Sequence, residues 1–131
     1  MAQGLAQPVP VEPGQVGVVV RAAQGGAAID LVERPRAGRD PDRVLVLLAH
    51  QSRAAEEAEQ YGVDLMLSGH NHGGQIWPWM YFVGIQQPYV YGLHRRGKTT
   101  IYVSEGTGFW GPPMRLGTSN EITLITLQAP P

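Results

Sequence analysis

The alternation of apolar and polar positions predicts a strand–helix–strand unit in the middle of the chain. Residues 44–49 form an uninterrupted apolar run that suits a strand buried on both faces, and residues 63–67 repeat that pattern. Between them, Ser52 is placed to cap a helix and Gly62 to end it. Because such a crossover is right-handed, both strands end at one edge of the sheet, where α/β folds usually bind their ligands.

Beyond this unit the pattern becomes mainly β. Two apolar stretches, residues 89–94 and 99–104, flank a polar turn at residues 95–98 and predict a hairpin. A glycine-rich loop follows over residues 105–120, and residues 121–127 are predicted to form the last strand.

The two ends of the chain differ from its middle. Proline and glycine interrupt residues 1–28, which we predict to be a flexible leader with one short strand at residues 16–20. Residues 129–131 are predicted to be a frayed tail. The folded domain is therefore expected over residues 29–128.

Composition narrows the function classes. A length of 131 residues suits one domain or part of a larger one. A net charge of −1 means that the chain has no excess of positive charge to attract nucleic acid. The absence of cysteine excludes disulfides, thiolate metal sites and cysteine nucleophiles. No apolar run approaches the roughly 20 residues of a spanning helix, and no secretion signal opens the chain, so a cytoplasmic location is expected.

Three histidines follow the two predicted strands. His50 comes directly after the first, and His70 and His72 come after the second, framed by Gly69 and Gly73. Neighbouring strands lie about 4.8 Å apart, so we expect these imidazoles within about 5–10 Å of one another. Imidazoles from two loops can share one metal ion or a pair of ions, and the alternative is that they are hydrogen-bonded turn residues.

Several segments carry a resemblance to a known family. They read Leu48-Ala49-His50-Gln51, Gly62-Val63-Asp64-Leu65, Ser68-Gly69-His70-Asn71-His72-Gly73-Gly74-Gln75, Tyr102-Val103-Ser104-Glu105-Gly106-Thr107-Gly108 and Glu121-Ile122-Thr123-Leu124-Ile125-Thr126-Leu127. In combination they resemble the C-terminal half of calcineurin-like metallophosphoesterases, and specifically a bacterial, membrane-associated branch. The resemblance covers residues 30–127.

The resemblance implies both a fold and a chemistry. The fold is α/β, the C-terminal half of a four-layer α/β/β/α sandwich with a two-metal site at the sheet edges. His50 and His70 would bind one ion and His72 the other, with Mn, Fe, Zn or Ni as the usual metals. Two such cations clamp phosphate oxygens and lower the pKa of a bound water. The implied activity is hydrolysis of a phosphomonoester, phosphodiester or pyrophosphate.

The chain departs from the family in its missing ligands. The Asp-x-His, Gly-Asp-x-x-Asp and Gly-Asn-His motifs of the N-terminal half are absent, and no catalytic residue is identified beyond the histidines. We therefore expect a truncated family member. The alternative is a non-catalytic metal-binding or interaction module derived from that fold.

Other residues are candidates for contacts with substrate and partners. Arg115 and Asn71 are candidates to bind a phosphate ester, although Arg115 suits equally a structural role on loop carbonyls. The aromatic loop at residues 77–83 suits a lid that touches an acyl chain or a membrane periphery. The alternative, which we prefer, is that the loop forms core packed against the missing half. Half a sandwich exposes apolar faces, so self-association is expected, and membrane association is expected of the full-length form.

Overall fold

The computed structural model describes residues 18–23 and 43–127. Its elements, in chain order, are β1 (Val18–Ala23), β2 (Val44–Ala49), a 3₁₀ turn (Ser52–Ala54) that runs into α1 (Ala55–Gln60), β3 (Leu65–Ser68), a 3₁₀ turn (His72–Gly74), α2 (Met80–Gln86), β4 (Gly92–Arg96) and β5 (Thr99–Val103). No helix in these ranges is long and apolar enough to cross a membrane.

The strands form one mixed sheet in the order β1-β2-β3-β5-β4. The first four in that order are parallel, and β4 is antiparallel to β5. The carboxyl ends of β2, β3 and β5 consequently meet at one edge of the sheet. The predicted α/β class is confirmed, and a sheet with a helix packed on one face is one half of the predicted four-layer arrangement.

The apolar core lies between α1 and one face of this sheet. Leu47, Met66 and Ile101 point from three neighbouring strands into this core and are at most 1% exposed. Ala55 and Ala58 of α1 pack on them and are equally buried. Because both helix residues are small, α1 packs closely on the sheet.

The predicted helix is present, but its start differs from the prediction. Ser52 does not cap it: the residue is fully buried, and its hydroxyl contacts Tyr89 O at 2.7 Å and Gln87 Oε1 at 3.2 Å. The Ser52 hydroxyl therefore links the start of the helix to residues 87–89, a distant contact that a local capping pattern does not reveal. Gly62 ends the helix as predicted, with a φ of +69°.

The aromatic stretch is a helix and not the predicted loop. Residues Met80–Gln86 form α2, preceded by backbone bonds from Tyr81 N to Pro78 O at 3.2 Å and from Phe82 N to Trp79 O at 2.9 Å. A proline before the first turn is compatible with a helix because no amide hydrogen is required of it there. Pro78 therefore does not break the element.

The predicted strand at residues 121–127 is also wrong. This segment lies on the sheet face opposite α1, where Ile125 and Leu127 line a cavity of about 340 Å³ together with Leu93 of β4. The Glu121 carboxylate accepts one hydrogen bond from the Tyr102 hydroxyl and another from the backbone nitrogen of Glu105, at 3.0 Å. Within the described residues no strand lies beside the segment, so it makes no ladder of backbone hydrogen bonds.

The hairpin prediction is confirmed with a shift in its turn. Arg96 of β4 pairs with Thr99 of β5, which leaves a two-residue turn rather than the predicted residues 95–98. β1 begins two residues after the start of the strand predicted at residues 16–20. The rest of the predicted leader and the predicted tail at residues 129–131 lie outside the described residues.

Candidate metal centre

Two histidines converge at the edge where β2 and β3 end. His50 Nε2 lies 2.9 Å from His70 Nδ1, and the two rings meet edge to face with centroids 4.6 Å apart. Two nitrogens that each lie about 2.1 Å from one ion are about 3.4 Å apart in a tetrahedral site and about 3.0 Å apart at the right angle of an octahedral site. The nitrogen–nitrogen distance of 2.9 Å is that of a hydrogen bond and is close to the octahedral value.

The backbone of the second histidine loop is unusual. His70 has a φ of +73° and His72 a φ of +49°, both in the left-handed region that non-glycine residues rarely adopt. Between them Asn71 is buried, and its amide donates to Tyr89 O at 3.0 Å. Strained backbone of this kind is held by its surroundings and is concentrated at functional sites.

The surroundings of His70 disfavour a positive charge on its imidazole ring. Partial burial lowers the pKa of His70, and the neighbouring His50, His72 and Arg53 lower it further because each disfavours a second positive charge. Neutral imidazole is the form that binds a metal ion. The side-chain nitrogen of Gln51 lies 3.4 Å from Nε2 of His70, and because an amide nitrogen only donates, this contact leaves the ring hydrogen of His70 on Nδ1. A metal ion on Nδ1 requires the hydrogen on Nε2, which Gln51 accepts only when its amide group is turned round.

His72 stands apart from this pair. Its Nδ1 lies 3.2 Å from Nη2 of Arg115. Among the residues that the structure describes, no three His, Cys, Asp or Glu side chains come close enough together to hold an ion. His50 and His70 therefore approach each other without a third such side chain from the described residues. A metal-binding role for His50, His70 and His72 stays a prediction.

Arg115 and Asn71 both have structural contacts. The Arg115 guanidinium donates to the carbonyl oxygens of Glu105 at 2.8 Å and Ser119 at 2.9 Å, and also to those of His72 and Gly108. It thus holds the glycine-rich loop against the histidine turn, which is the structural role considered above. Contact of either residue with a substrate phosphate stays a prediction.

His50 lies between two cavities. One is a cleft of about 490 Å³ that also contains His70, His72, Trp79 and Trp110. The other, of about 390 Å³, contains Ser68, whose buried hydroxyl has no hydrogen-bond partner among the described residues. The imidazole nitrogens of the first cavity are ligands that suit a borderline divalent ion.

Sequence reasoning did not identify Gln51, Ser68 or Trp110 as parts of this site. Gln51 and Ser68 adjoin the histidine motifs, so their position next to the strand ends was an available signal. Trp110 comes from the glycine-rich loop 40 residues downstream of His70 and had no local signal. Only the folded loop brings it to the cleft.

Comparison with curated proteins identifies relatives in bacteria and animals. The chain is 48% identical over 84 residues to an uncharacterized metallophosphoesterase of Campylobacter jejuni, an alignment that covers 63% of this chain and 22% of that protein. It is 45% identical over 109 residues to the transmembrane protein with metallophosphoesterase domain of Bos taurus, covering 81% and 24%. It is 43% identical over 88 residues to the uncharacterized metallophosphoesterase YkuE of Bacillus subtilis, covering 64% and 31%.

The alignments cover only part of each relative, which limits what they imply about this chain. The chain spans about a quarter of the length of the first two of these relatives. No protein-family profile matches it, and no solved structure does. The names of these relatives nevertheless all contain metallophosphoesterase, and the aligned region accounts for most of the chain. The chain belongs to the metallophosphoesterase family.

Proposed function

We propose that this chain provides part of the metal centre of a phosphoesterase that hydrolyses a phosphomonoester, phosphodiester or pyrophosphate with metal-activated water. The observation that carries the proposal is the 2.9 Å approach of His50 Nε2 and His70 Nδ1 at the carboxyl edge of a parallel sheet. The names of the relatives support the same class of activity.

The chain's own residues supply binding and orientation in this proposal. His50 and His70 hold one divalent ion, of which Mn, Fe, Zn and Ni are the candidates, and His72 is directed to a second. Such an ion, when bound, stabilises negative charge on the phosphate oxygens and lowers the pKa of a water ligand. The left-handed backbone at His70 presents the imidazole ring of that residue to His50.

Calorimetric titration with Mn²⁺ tests the metal centre directly. We expect His70→Ala to weaken Mn²⁺ binding by at least about tenfold, because one of two paired ligands is lost. His94→Ala is the matched control, since His94 contacts Tyr91 O in the hairpin and is not among the residues that line the cleft. Equal Mn²⁺ affinity in the wild type and His70→Ala contradicts the assignment.

Hydrolysis of bis(p-nitrophenyl) phosphate separates an enzyme from a binding module. Mn²⁺-dependent turnover that disappears in His70→Ala supports a phosphoesterase. Mn²⁺ binding without turnover supports the alternative, a non-catalytic metal-binding module.

We also propose that the protein works at a membrane periphery. Two relatives, from Bos taurus and Danio rerio, are named transmembrane proteins with a metallophosphoesterase domain. Membrane association of this chain is measured by flotation with lipid vesicles. Recovery of the protein only at the bottom of the gradient contradicts it.

A further inference from the structure

The backbone carbonyl of Tyr89 joins the two loops that carry the histidine pair. Its oxygen accepts a hydrogen bond from the hydroxyl of Ser52 at 2.7 Å and another from the side-chain amide of Asn71 at 3.0 Å. Ser52 follows His50 by two residues, and Asn71 follows His70 directly. One oxygen is therefore the common acceptor for both histidine loops.

The chemistry of the partners fixes the direction of both bonds. A backbone carbonyl only accepts, so the side of the Asn71 amide that faces it is the nitrogen, and this nitrogen also lies 3.4 Å from Val90 O. The single hydroxyl hydrogen of Ser52 goes to Tyr89 O, which is nearer than its other acceptor at 3.2 Å. Both side chains consequently donate to the same carbonyl.

Both donors are shielded from water. Ser52 is fully buried, and Asn71 is 5% exposed. A buried polar group that leaves its partner keeps the cost of desolvation, because no water replaces the lost bond. Each donor is therefore held to the Tyr89 carbonyl more firmly than an exposed side chain would be.

The segment that carries the shared carbonyl is itself anchored. Residues 87–91 connect α2 to β4, and Gln87 at their start is buried. The ring of Tyr89 packs against the apolar core, and its centroid lies 4.7 Å from that of the His94 ring of β4. The carbonyl is thus a fixed point relative to the core, and both histidine loops are bound to it.

The bonds from Asn71 also hold the backbone of its two neighbours. His70 and His72 have φ values of +73° and +49°, and a non-glycine residue keeps such angles where its surroundings hold it. Asn71 lies between them and donates to carbonyls 18 and 19 positions away. Its side chain therefore fixes the turn from which the His70 ring projects.

We propose that Ser52 and Asn71 are positioning residues that act through the Tyr89 carbonyl. These three groups form what we call the carbonyl clamp, and the clamp sets the 2.9 Å approach of His50 Nε2 to His70 Nδ1. The clamp needs both donors, because either bond alone leaves one loop unattached. It rests on the proposed phosphoesterase function and deepens it by assigning the residues that set the metal affinity of the histidine pair.

The first test compares two buried hydroxyls that donate to a carbonyl at the same distance. Thr99 Oγ1 lies 2.7 Å from Val63 O, and Thr99 opens β5 at the edge of the sheet opposite the histidines. In calorimetric titrations we expect Ser52→Ala to weaken Mn²⁺ binding about tenfold and Thr99→Val to leave it unchanged, although both lower the midpoint of urea denaturation.

Rescue by a conservative variant separates positioning from stability. Ser52→Thr keeps the hydroxyl but adds a methyl group at a fully buried position, so it also lowers the urea midpoint. We expect it to retain the Mn²⁺ affinity of the wild type. Equal Mn²⁺ affinities of Ser52→Ala and Thr99→Val overturn the proposal, and so does a loss of Mn²⁺ affinity that follows the urea midpoint across the three variants.

The shared acceptor also predicts the behaviour of a double variant. Asn71→Leu has nearly the same shape without the donor and is expected to weaken Mn²⁺ binding about tenfold. Because either substitution opens the clamp, Ser52→Ala and Asn71→Leu together are expected to cost about tenfold in total. A loss of about a hundredfold, the product of two independent effects, overturns the proposal. If Asn71→Leu does not fold, the Ser52 variants decide by themselves.

The imidazole nitrogens report the histidine pair without a metal ion. Long-range proton–nitrogen correlation spectra of the metal-free chain resolve the ring nitrogens of His50 and His70, whose chemical shifts change when their contact is lost. We expect changes in Ser52→Ala and Asn71→Leu and none in Thr99→Val. Unchanged nitrogen shifts in all three variants overturn the proposal.

The two measurements separate the clamp from the phosphoesterase function. If the wild type binds no Mn²⁺ while the nitrogen shifts still change in Ser52→Ala and Asn71→Leu, the metal centre fails and the clamp remains. If the wild type binds Mn²⁺ and neither substitution changes the Mn²⁺ affinity or the nitrogen shifts, the clamp fails and the metal centre remains.

Discussion

At the scale of single residues, the loop after β3 is organised by side chains that bind backbone. Arg115 donates to the carbonyls of His72, Glu105, Gly108 and Ser119, and so joins three loop segments through one guanidinium. Hydrogen bonds from a charged donor are stronger than neutral ones, and losing the donor leaves several carbonyls without a partner. Arg115 is therefore expected to matter for folding even if it never contacts a substrate.

Arg115→Met is expected to lower the free energy of unfolding by about 2–3 kcal/mol, because it removes these bonds together. Urea denaturation followed by circular dichroism measures the change. Arg95→Met is the control: Arg95 is exposed, and within the described residues its one hydrogen bond goes to Gly97 O at 3.3 Å, so its loss is expected to change stability by no more than about 0.5 kcal/mol. An unchanged stability of Arg115→Met, with weaker binding of inorganic phosphate, assigns the residue to the substrate instead.

At the scale of elements, the end of α1 is fixed by a local motif. Gly62 N donates to Glu59 O at 3.0 Å and Val63 N to Ala58 O at 2.9 Å, which is the Schellman arrangement. The motif requires a left-handed residue at Gly62, and the measured φ is +69°. Because all of its contacts lie within six residues, the sequence was sufficient to predict it.

Two glycine substitutions are expected to change stability in opposite directions. A Cβ at Gly62 or at Gly84 meets no atom within 4 Å, so steric clash plays no part at either position. Gly62→Ala is expected to cost about 1–2 kcal/mol, because a side chain disfavours the left-handed backbone. Gly84→Ala, inside α2, is expected to gain about 0.5–1 kcal/mol from lower entropy of the unfolded chain. Thermal denaturation of both variants tests this, and shifts of the same sign contradict it.

The conformations of two segments were predicted wrongly from the sequence, α2 as a loop and residues 121–127 as a strand, because both depend on distant contacts. α2 contacts the histidine turn at residues 72–74, and none of its residues is buried. Residues 121–127 have a strand-like alternation but lie on a face of the sheet instead of beside a strand within the described residues. An alternating pattern predicts which side chains turn inward, whereas strand formation also needs a hydrogen-bonding neighbour.

At the scale of the whole molecule, the sheet face opposite α1 remains partly uncovered. Leu48 and Leu93 are 37% and 71% exposed on this face, although Ile125 and Leu127 cover part of it. Ile122 and Leu124 on the same terminal segment are 90% and 91% exposed. A surface of this kind favours association.

Self-association of the chain is therefore expected and is measurable by sedimentation equilibrium. Leu93→Lys is expected to shift the chain toward the monomer, because a charge on the exposed face opposes its burial. Gln86→Lys, which adds the same charge on α2, is expected to leave the association constant unchanged. A wild-type chain that sediments as a monomer at every concentration contradicts the expectation.

The sequence by itself determined the α/β class, the strand at Val44–Ala49, the hairpin and the presence of histidines at two strand ends. These follow from local periodicity and turn chemistry, which act over a few residues. Only the tertiary structure decided that His50 and His70 pair at 2.9 Å, that Arg115 binds loop carbonyls, and that Trp110 joins α2 at the cleft. The histidine pair, the bonds from Arg115 to His72 and Glu105, and the approach of Trp110 to α2 all join residues at least ten positions apart, and such contacts form only when the packed core has fixed where the strands end.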